Sequence, residues 1–325
     1  MSGAELGRRL RDGDLAAAPA VLNILESRAP GDREQAKALL HEVSPAALGG
    51  EAQGHIIGVT GPPGAGKSTL LSALLRAWRA TDDAGARART VAMLAVDPSS
   101  KRSGGSLLGD RARIDFDPSD GGVLIRSTAA GNRLGGLAPG TRAAAQALAA
   151  AFDIVVIETV GVGQAETEVA DVADTVAVVV QPGSGDVLQF LKAGIMETPD
   201  VLVVTKADLG KLALRTRRDL SAALRSLGAS GPGATRVIAV SSLPPAEGIE
   251  ELVSALDEHR ATLDLAQRRL RTRRASALLE FASEHGEQGL RAVGGRRGAE
   301  RLLEQQDPGL DGPALVAALE ERMAA

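Results

Sequence analysis

The stretch Gly61-Pro62-Pro63-Gly64-Ala65-Gly66-Lys67-Ser68-Thr69 has the residue types and spacing to hold a chain of phosphates. It fits G-x-x-x-x-G-K-[ST], the P-loop pattern. Gly61, Gly64 and Gly66 admit backbone angles that a Cβ forbids, so successive amide N–H groups can turn inward on an anion. Lys67 supplies a point charge for the β- and γ-phosphates, and Ser68 a hydroxyl for Mg²⁺. A helix opening near Lys67 adds the positive end of its dipole. The pattern predicts a nucleoside triphosphate site without choosing the base.

Thr205-Lys206-Ala207-Asp208 chooses the base. It resembles the N-K-x-D guanine motif. A carboxylate at Asp208 can accept from guanine N1–H and the 2-amino group, an arrangement adenine does not offer. The Lys206 stem can lie over the base plane. Thr205 stands where the motif has Asn, and it cannot supply both an amide donor and a carbonyl acceptor. Its hydroxyl can still bridge to the P-loop, so guanine selectivity is expected with some loss of affinity. Ser241-Ser242-Leu243 falls where GTPases carry a loop whose backbone amide touches guanine O6. For Mg²⁺, which takes oxygen ligands and few of them from protein, Asp97, Asp110 and Glu158 join Ser68 as candidates for direct or water-mediated contact. Asp110 alone reads as a solvated loop acid. Glu158 and Gly161 fit an E-x-x-G motif whose glycine N–H would sense the γ-phosphate. Val162 occupies the place of the water-orienting glutamine of Ras-type enzymes, and Gln164 lies two positions later. Intrinsic hydrolysis is therefore expected to be slow until a partner supplies or orders the missing group.

Rigid elements must position these groups. Apolar runs at 56–59, 90–96, 123–126, 153–158, 175–180, 201–204 and 237–240 read as strands, and 69–79, 141–152, 186–192, 211–227 and 249–263 as helices. Such an alternation predicts an α/β fold of the P-loop NTPase kind, a mostly parallel sheet with helices on both faces. Ligands gather at the carboxyl ends of such strands, where Asp97, Glu158 and Thr205 fall. Residues 1–53 read as an N-terminal helical segment of two or three short helices, 54–263 as the P-loop domain, and 264–325 as a C-terminal helical arm suited to self-association. In that arm Asp311 with Pro313 signals a helix start, and Leu315, Leu319 and Met323 share a face. The run Arg268, Arg269, Arg271, Arg273 and Arg274 is diluted by glutamates and reads as a solvated helical face.

Composition sets limits. The 325 residues carry a formal net charge of −4, which argues against a chain-wide nucleic-acid surface. There is no cysteine, which excludes disulfides, thiolate catalysis and cysteine-based metal sites. The charged N-terminus has no apolar leader core, and no apolar run reaches the length of a membrane span. A cytoplasmic protein with neither membrane nor nucleic-acid partner is expected.

Six blocks together resemble one family. GVTGPPGAGKSTL (58–70), LAVDPSS (94–100), SGGSLLGDRARI (103–114), ETVGVGQAE (158–166), QPGSGDVLQFLKAGIME (181–197) and TKAD (205–208) are similar to the MeaB/ArgK-type GTPases. The resemblance is continuous over roughly 20–260 and weaker in the tail. It implies a GTPase chaperone of methylmalonyl-CoA mutase or a related B12-dependent acyl-CoA mutase, gating adenosylcobalamin transfer and protecting or reactivating the mutase. It implies a Mg²⁺ site of Ser68, Asp97, Asp110 and Glu158, and a homodimer held by the C-terminal extension. It also implies that the segment Gly183 to Glu197 reports nucleotide state to the mutase. Val187, Phe190, Leu191 and Ala193 depart from the usual residues there, which leaves the partner mutase open. Two other classes compete. A P-loop small-molecule kinase would generally use ATP and lack a guanine motif. A metal-insertion GTPase generally carries His- or Cys-rich sites, whereas His41, His55, His259 and His285 are scattered along this chain.

Overall fold

Seven runs rich in β-branched residues assemble into one sheet: β1 His55–Thr60, β2 Val91–Asp97, β3 Val123–Ala129, β4 Ile154–Thr159, β5 Thr175–Val180, β6 Val201–Val204 and β7 Arg236–Ala239. Their spatial order is β3-β2-β4-β1-β5-β6-β7, and every adjacent pair is parallel. The computed structural model describes residues 1–27, 29–81, 87–97, 114–129, 137–159, 165–183, 199–226 and 234–324. β1, β4, β5 and β6 are buried at every position, which is why their sequences are continuous apolar runs rather than alternating ones.

Contacts divide the chain into two compact units. One comprises residues 55–138 and 153–263, the other 1–54, 139–152 and 264–325. The first holds the sheet. Helices α1 Gly3–Arg11, α2 Ala18–Glu26, α3 Pro30–Glu42 and α4 Pro45–Leu48 belong to the second; α5 Lys67–Arg79 follows β1. Then come α6 Pro139–Leu148, α7 Ala165–Ala170, α8 Lys211–Ser226, α9 Ile249–Thr262, α10 Leu265–Ala292, α11 Gly295–Glu304 and α12 Gly312–Ala324. In the sheet unit, Leu70, Leu74 and Trp78 of α5 join Leu252 and Leu256 of α9 and the strand residues Ile57 and Val59 in one buried cluster. α7 packs so close to β1 that a Cβ on Gly58 would lie 2.7 Å from Val169 Cγ2.

The helical unit has a core of its own. Leu278 and Phe281 of α10, Leu303 of α11, and Leu315 and Leu319 of α12 are buried together. The Asp311 carboxylate caps α12 by accepting from Ala314 N–H at 2.8 Å, the start that the Asp–x–Pro pattern predicts. The basic run is only partly a solvated face: Arg271 is exposed, but two of its arginines are interior. Arg269 and Arg273 are each 6% exposed. Arg269 donates to the carbonyls of Ala52 and Gly54, and Arg273 pairs with Glu51 at 2.8 Å while donating to Pro308 O. A guanidinium has five donors in a planar fork, so carbonyls and a carboxylate can meet its terminal N–H groups in the interior.

Two further expectations shift, and one is not reached. Among its described residues the N-terminal segment holds four helices and a 3₁₀ turn, Leu15–Ala17, rather than two or three helices. The helix expected at 141–152 ends at Leu148, where Ala150 and Ala151 N–H groups turn back to carbonyls three residues earlier. The helix expected at 186–192 lies outside the described residues. Among those described, no helix is long and apolar enough to cross a membrane.

Candidate functional site

β1 delivers the chain into the glycine-rich loop. Gly61, Gly64 and Gly66 have φ of 145°, 76° and 89°. At Gly61 a Cβ would run into the Val179 carbonyl of β5, so both the angle and the space demand glycine. Ala65 N–H turns back to Pro62 O, and Leu70 N–H makes the first helical bond to Gly66 O. Gly66 provides no side-chain cap for α5. The first-turn amides and helix dipole therefore face the loop, the arrangement that binds phosphate. Lys67 is buried, and its ammonium donates to Gly61 O at 2.7 Å and Pro62 O at 3.3 Å. Pro63 of the loop and Thr69 in the first turn of α5 are exposed.

The order of strands does what sequence distance obscures. β4 lies beside β1, with Glu158 opposite Val59. This brings Glu158, 5% exposed, to 3.4 Å from the Ser68 hydroxyl, ninety positions earlier in the chain. A hydroxyl and a buried carboxylate are hard oxygen donors that suit Mg²⁺. The Thr159 hydroxyl donates to the Thr60 hydroxyl at 2.9 Å, tying the two strand ends directly behind the loop. Asp97 closes β2, two strands from β1; Asp110, Gly161, Gln164 and the segment 184–197 lie outside the described residues.

The guanine motif is docked on the P-loop by its atypical first residue. Thr205 is 3% exposed, and its hydroxyl lies 2.6 Å from Ala65 O and 3.0 Å from Val180 O, both acceptors. The hydroxyl thus forms the bridge expected of it. Lys206 has φ 54° and ψ 44°, the one left-handed non-glycine among the described residues. That conformation costs about 1–2 kcal/mol and persists where surrounding bonds over-determine it. Here Ala207 N–H donates to Val240 O, and Leu209 N–H to Lys206 O. The Ser241 hydroxyl approaches Asp208 Oδ1 at 3.4 Å. Ser241 also exchanges both backbone bonds with Glu247, which holds the loop of Ser242 and Leu243 beside the motif.

The chain from Ala18 to Ala292 matches the family model described as methylmalonyl-CoA mutase-associated GTPase MeaB. The chain belongs to this family. A probable GTPase of Mycobacterium tuberculosis is 38% identical over 261 residues, 79% of this chain and 75% of the relative. A methylmalonic aciduria type A homolog, mitochondrial, of Caenorhabditis elegans is 35% identical over 278 residues, 82% of this chain and 68% of the relative. The crystal structure of a LAO/AO transport system kinase has a TM-score of 0.64 and 27% identity, covering 99% of this chain and 98% of that one.

For a MeaB family member, two structural features were not anticipated from residue types. Gln181, the residue after β5, accepts from the Lys206 ammonium at 2.6 Å; the spacing of the guanine motif carries no signal for it. Nor are the histidines all scattered. His55 at the start of β1 and His259 of α9 flank the Thr175 hydroxyl at 2.7 and 2.8 Å, and His259 reaches Asp200 at 3.2 Å. These groups sit at the amino ends of the strands, the edge away from the P-loop, and staple β1, β5 and α9.

Proposed function

We propose that the chain binds GTP and GDP with Mg²⁺, hydrolyses GTP slowly, and serves as a chaperone of a B12-dependent acyl-CoA mutase, with methylmalonyl-CoA mutase the leading partner. In this reading it gates adenosylcobalamin loading and protects or reactivates the mutase. The observation that carries it is the family match over residues 18–292, supported by the Thr205 hydroxyl on Ala65 O, which joins the start of the Thr205–Asp208 segment to the P-loop. Lys67 and the backbone N–H groups of Gly64 to Thr69 take the phosphates, while Gly61, Pro62 and Pro63 shape the loop around them. Ser68 and Glu158, with Asp97 and Asp110, would hold Mg²⁺, which would supply charge neutralisation to the phosphates. Thr205, Lys206, Asp208 and the Ser241–Leu243 loop take the base. Gly161 senses the γ-phosphate and Gln164 orders water once a partner has closed the site. The protein works in the cytoplasm as a homodimer through residues 264–325.

The test is turnover of GTP and ATP by the full chain, with and without purified methylmalonyl-CoA mutase, together with cobalamin transfer followed by absorbance. Preferential GTP hydrolysis accelerated by the mutase is expected. Turnover that favours ATP and needs a small phosphoryl acceptor would shift the reading to a kinase. GTP turnover indifferent to the mutase, yet tied to metal delivery, would shift it to a metal-insertion GTPase.

A further inference from the structure

The Lys206 ammonium is held by groups from two other segments. It donates to Gln181 Oε1 at 2.6 Å and reaches Gly64 O at 3.3 Å. One charge thus joins the guanine motif, the P-loop and the exit of β5. The backbone beneath is fixed: Thr205 N–H donates to Val180 O at 2.9 Å, and Val180 lies in register with Val204. The Gln181 backbone is therefore tethered beside Lys206, within reach of its side-chain amide. Two residues later Gly183 has φ 82°, a turn that lets the chain leave the sheet at once.

We propose that Gln181 is a positioning residue of the nucleotide site. It pre-orders Lys206 at the rim of the P-loop. This rests on the guanine-nucleotide reading above. A lysine stem has many rotamers to lose on packing against a base. A partner that restrains it beforehand lowers that cost at binding and raises affinity. The bond is short and charge-assisted, the stronger class of hydrogen bond. Gln181 itself need not touch the base; it acts through Lys206.

The experiment uses the full chain and the fluorescent nucleotide mant-GDP. Release is followed by stopped flow, and melting is measured without nucleotide. Gln181→Ala is expected to speed release and weaken binding by about 3- to 10-fold, the size of one charge-assisted bond acting indirectly, with the melting temperature unchanged. Gln181→Glu keeps an acceptor and should restore wild-type release. Lys206→Ala should show the loss as well, and the double variant no more than Lys206→Ala alone. Wild-type release from Gln181→Ala, or effects additive with Lys206→Ala, would overturn the proposal and leave the nucleotide reading standing. So would a lower melting temperature with unaltered release. A wild-type chain that fails to bind mant-GDP would overturn both.

Discussion

Lys67, Thr205 and Asp208 each test a separate part of the nucleotide site. The Lys67 ammonium lies on its own loop carbonyls, where it is placed to exchange those bonds for phosphate oxygens. Lys67→Ala is expected to weaken GTP binding by about 100-fold or more, as loss of a charge-assisted contact predicts, with the circular dichroism spectrum retained. Calorimetry reads the first and spectroscopy the second. Unchanged affinity would remove the P-loop from the mechanism. Thr205→Val keeps the volume and deletes the hydroxyl, leaving the Ala65 carbonyl without that donor. A loss of about 1–3 kcal/mol in stability is expected, together with weaker guanine binding, measured by urea denaturation and nucleotide titration. Asp208→Asn should move preference from guanosine to xanthosine nucleotides, since an amide can donate to the xanthine 2-oxo group. Wild-type protein binding ATP as tightly as GTP would defeat the base assignment.

At the scale of elements, the turn leading into β3 is anchored to α5 by an ion pair that depends on pH. Arg79 grips both oxygens of Asp120 at 2.7 Å and also donates to Arg89 O. The hydrogen bonds from Arg79 hold the Asp120 carboxyl below its ordinary range. A depressed acid stabilises the fold above its unfolded pKa, about 4, and that contribution disappears as pH falls through the folded value. The pair is partly exposed, so about 1 kcal/mol is expected after solvent screening. Asp120→Asn should lower stability at pH 7 by that amount and flatten the acid limb of a pH–stability curve. A curve parallel to wild type would dismiss the clamp. Another element awaits the mutase assay: Asp186, Gln189 and Lys192, outside the described residues, share a helical spacing. If they couple to the mutase, alanine at each should spare intrinsic turnover. Mutase stimulation should fall by up to the 5- to 150-fold typical of such coupling.

For the whole molecule, the 264–325 segment does more than extend the chain. Arg269 and Arg273 supply donors to Glu51, Ala52 and Gly54, the last residues before β1. Truncation after Leu263 removes them, and breaking such buried charges costs about 3–5 kcal/mol. The shortened chain is expected to melt earlier and, under the homodimer proposal, to run as a monomer in light scattering. Full-length protein that is itself monomeric would end that proposal. Much of the arm's apolar surface is already met by its own core, so a dimer must form on what remains outside it.

What residue order alone determined was local chemistry and its carriers. The P-loop, the guanine motif and the parallel α/β class were legible because glycine angles, a lysine charge and continuous apolar strands act within a few residues of themselves. Even the substitution of Thr205 was readable, since a hydroxyl can reach a carbonyl where an amide could. What only the tertiary structure decided was which distant groups meet. Residue type and resemblance grouped Glu158 with Ser68 around Mg²⁺, but their 3.4 Å approach exists because β4 inserts between β2 and β1, and no spacing encodes that insertion. Arg269 and Arg273 look solvated in a charged run, yet they are interior because carbonyls and Glu51 converge on them. Gln181 gained meaning only when the end of β5 came beside Lys206. Burial and convergence belong to the packed chain, and a linear pattern records them only where the partners are neighbours in sequence.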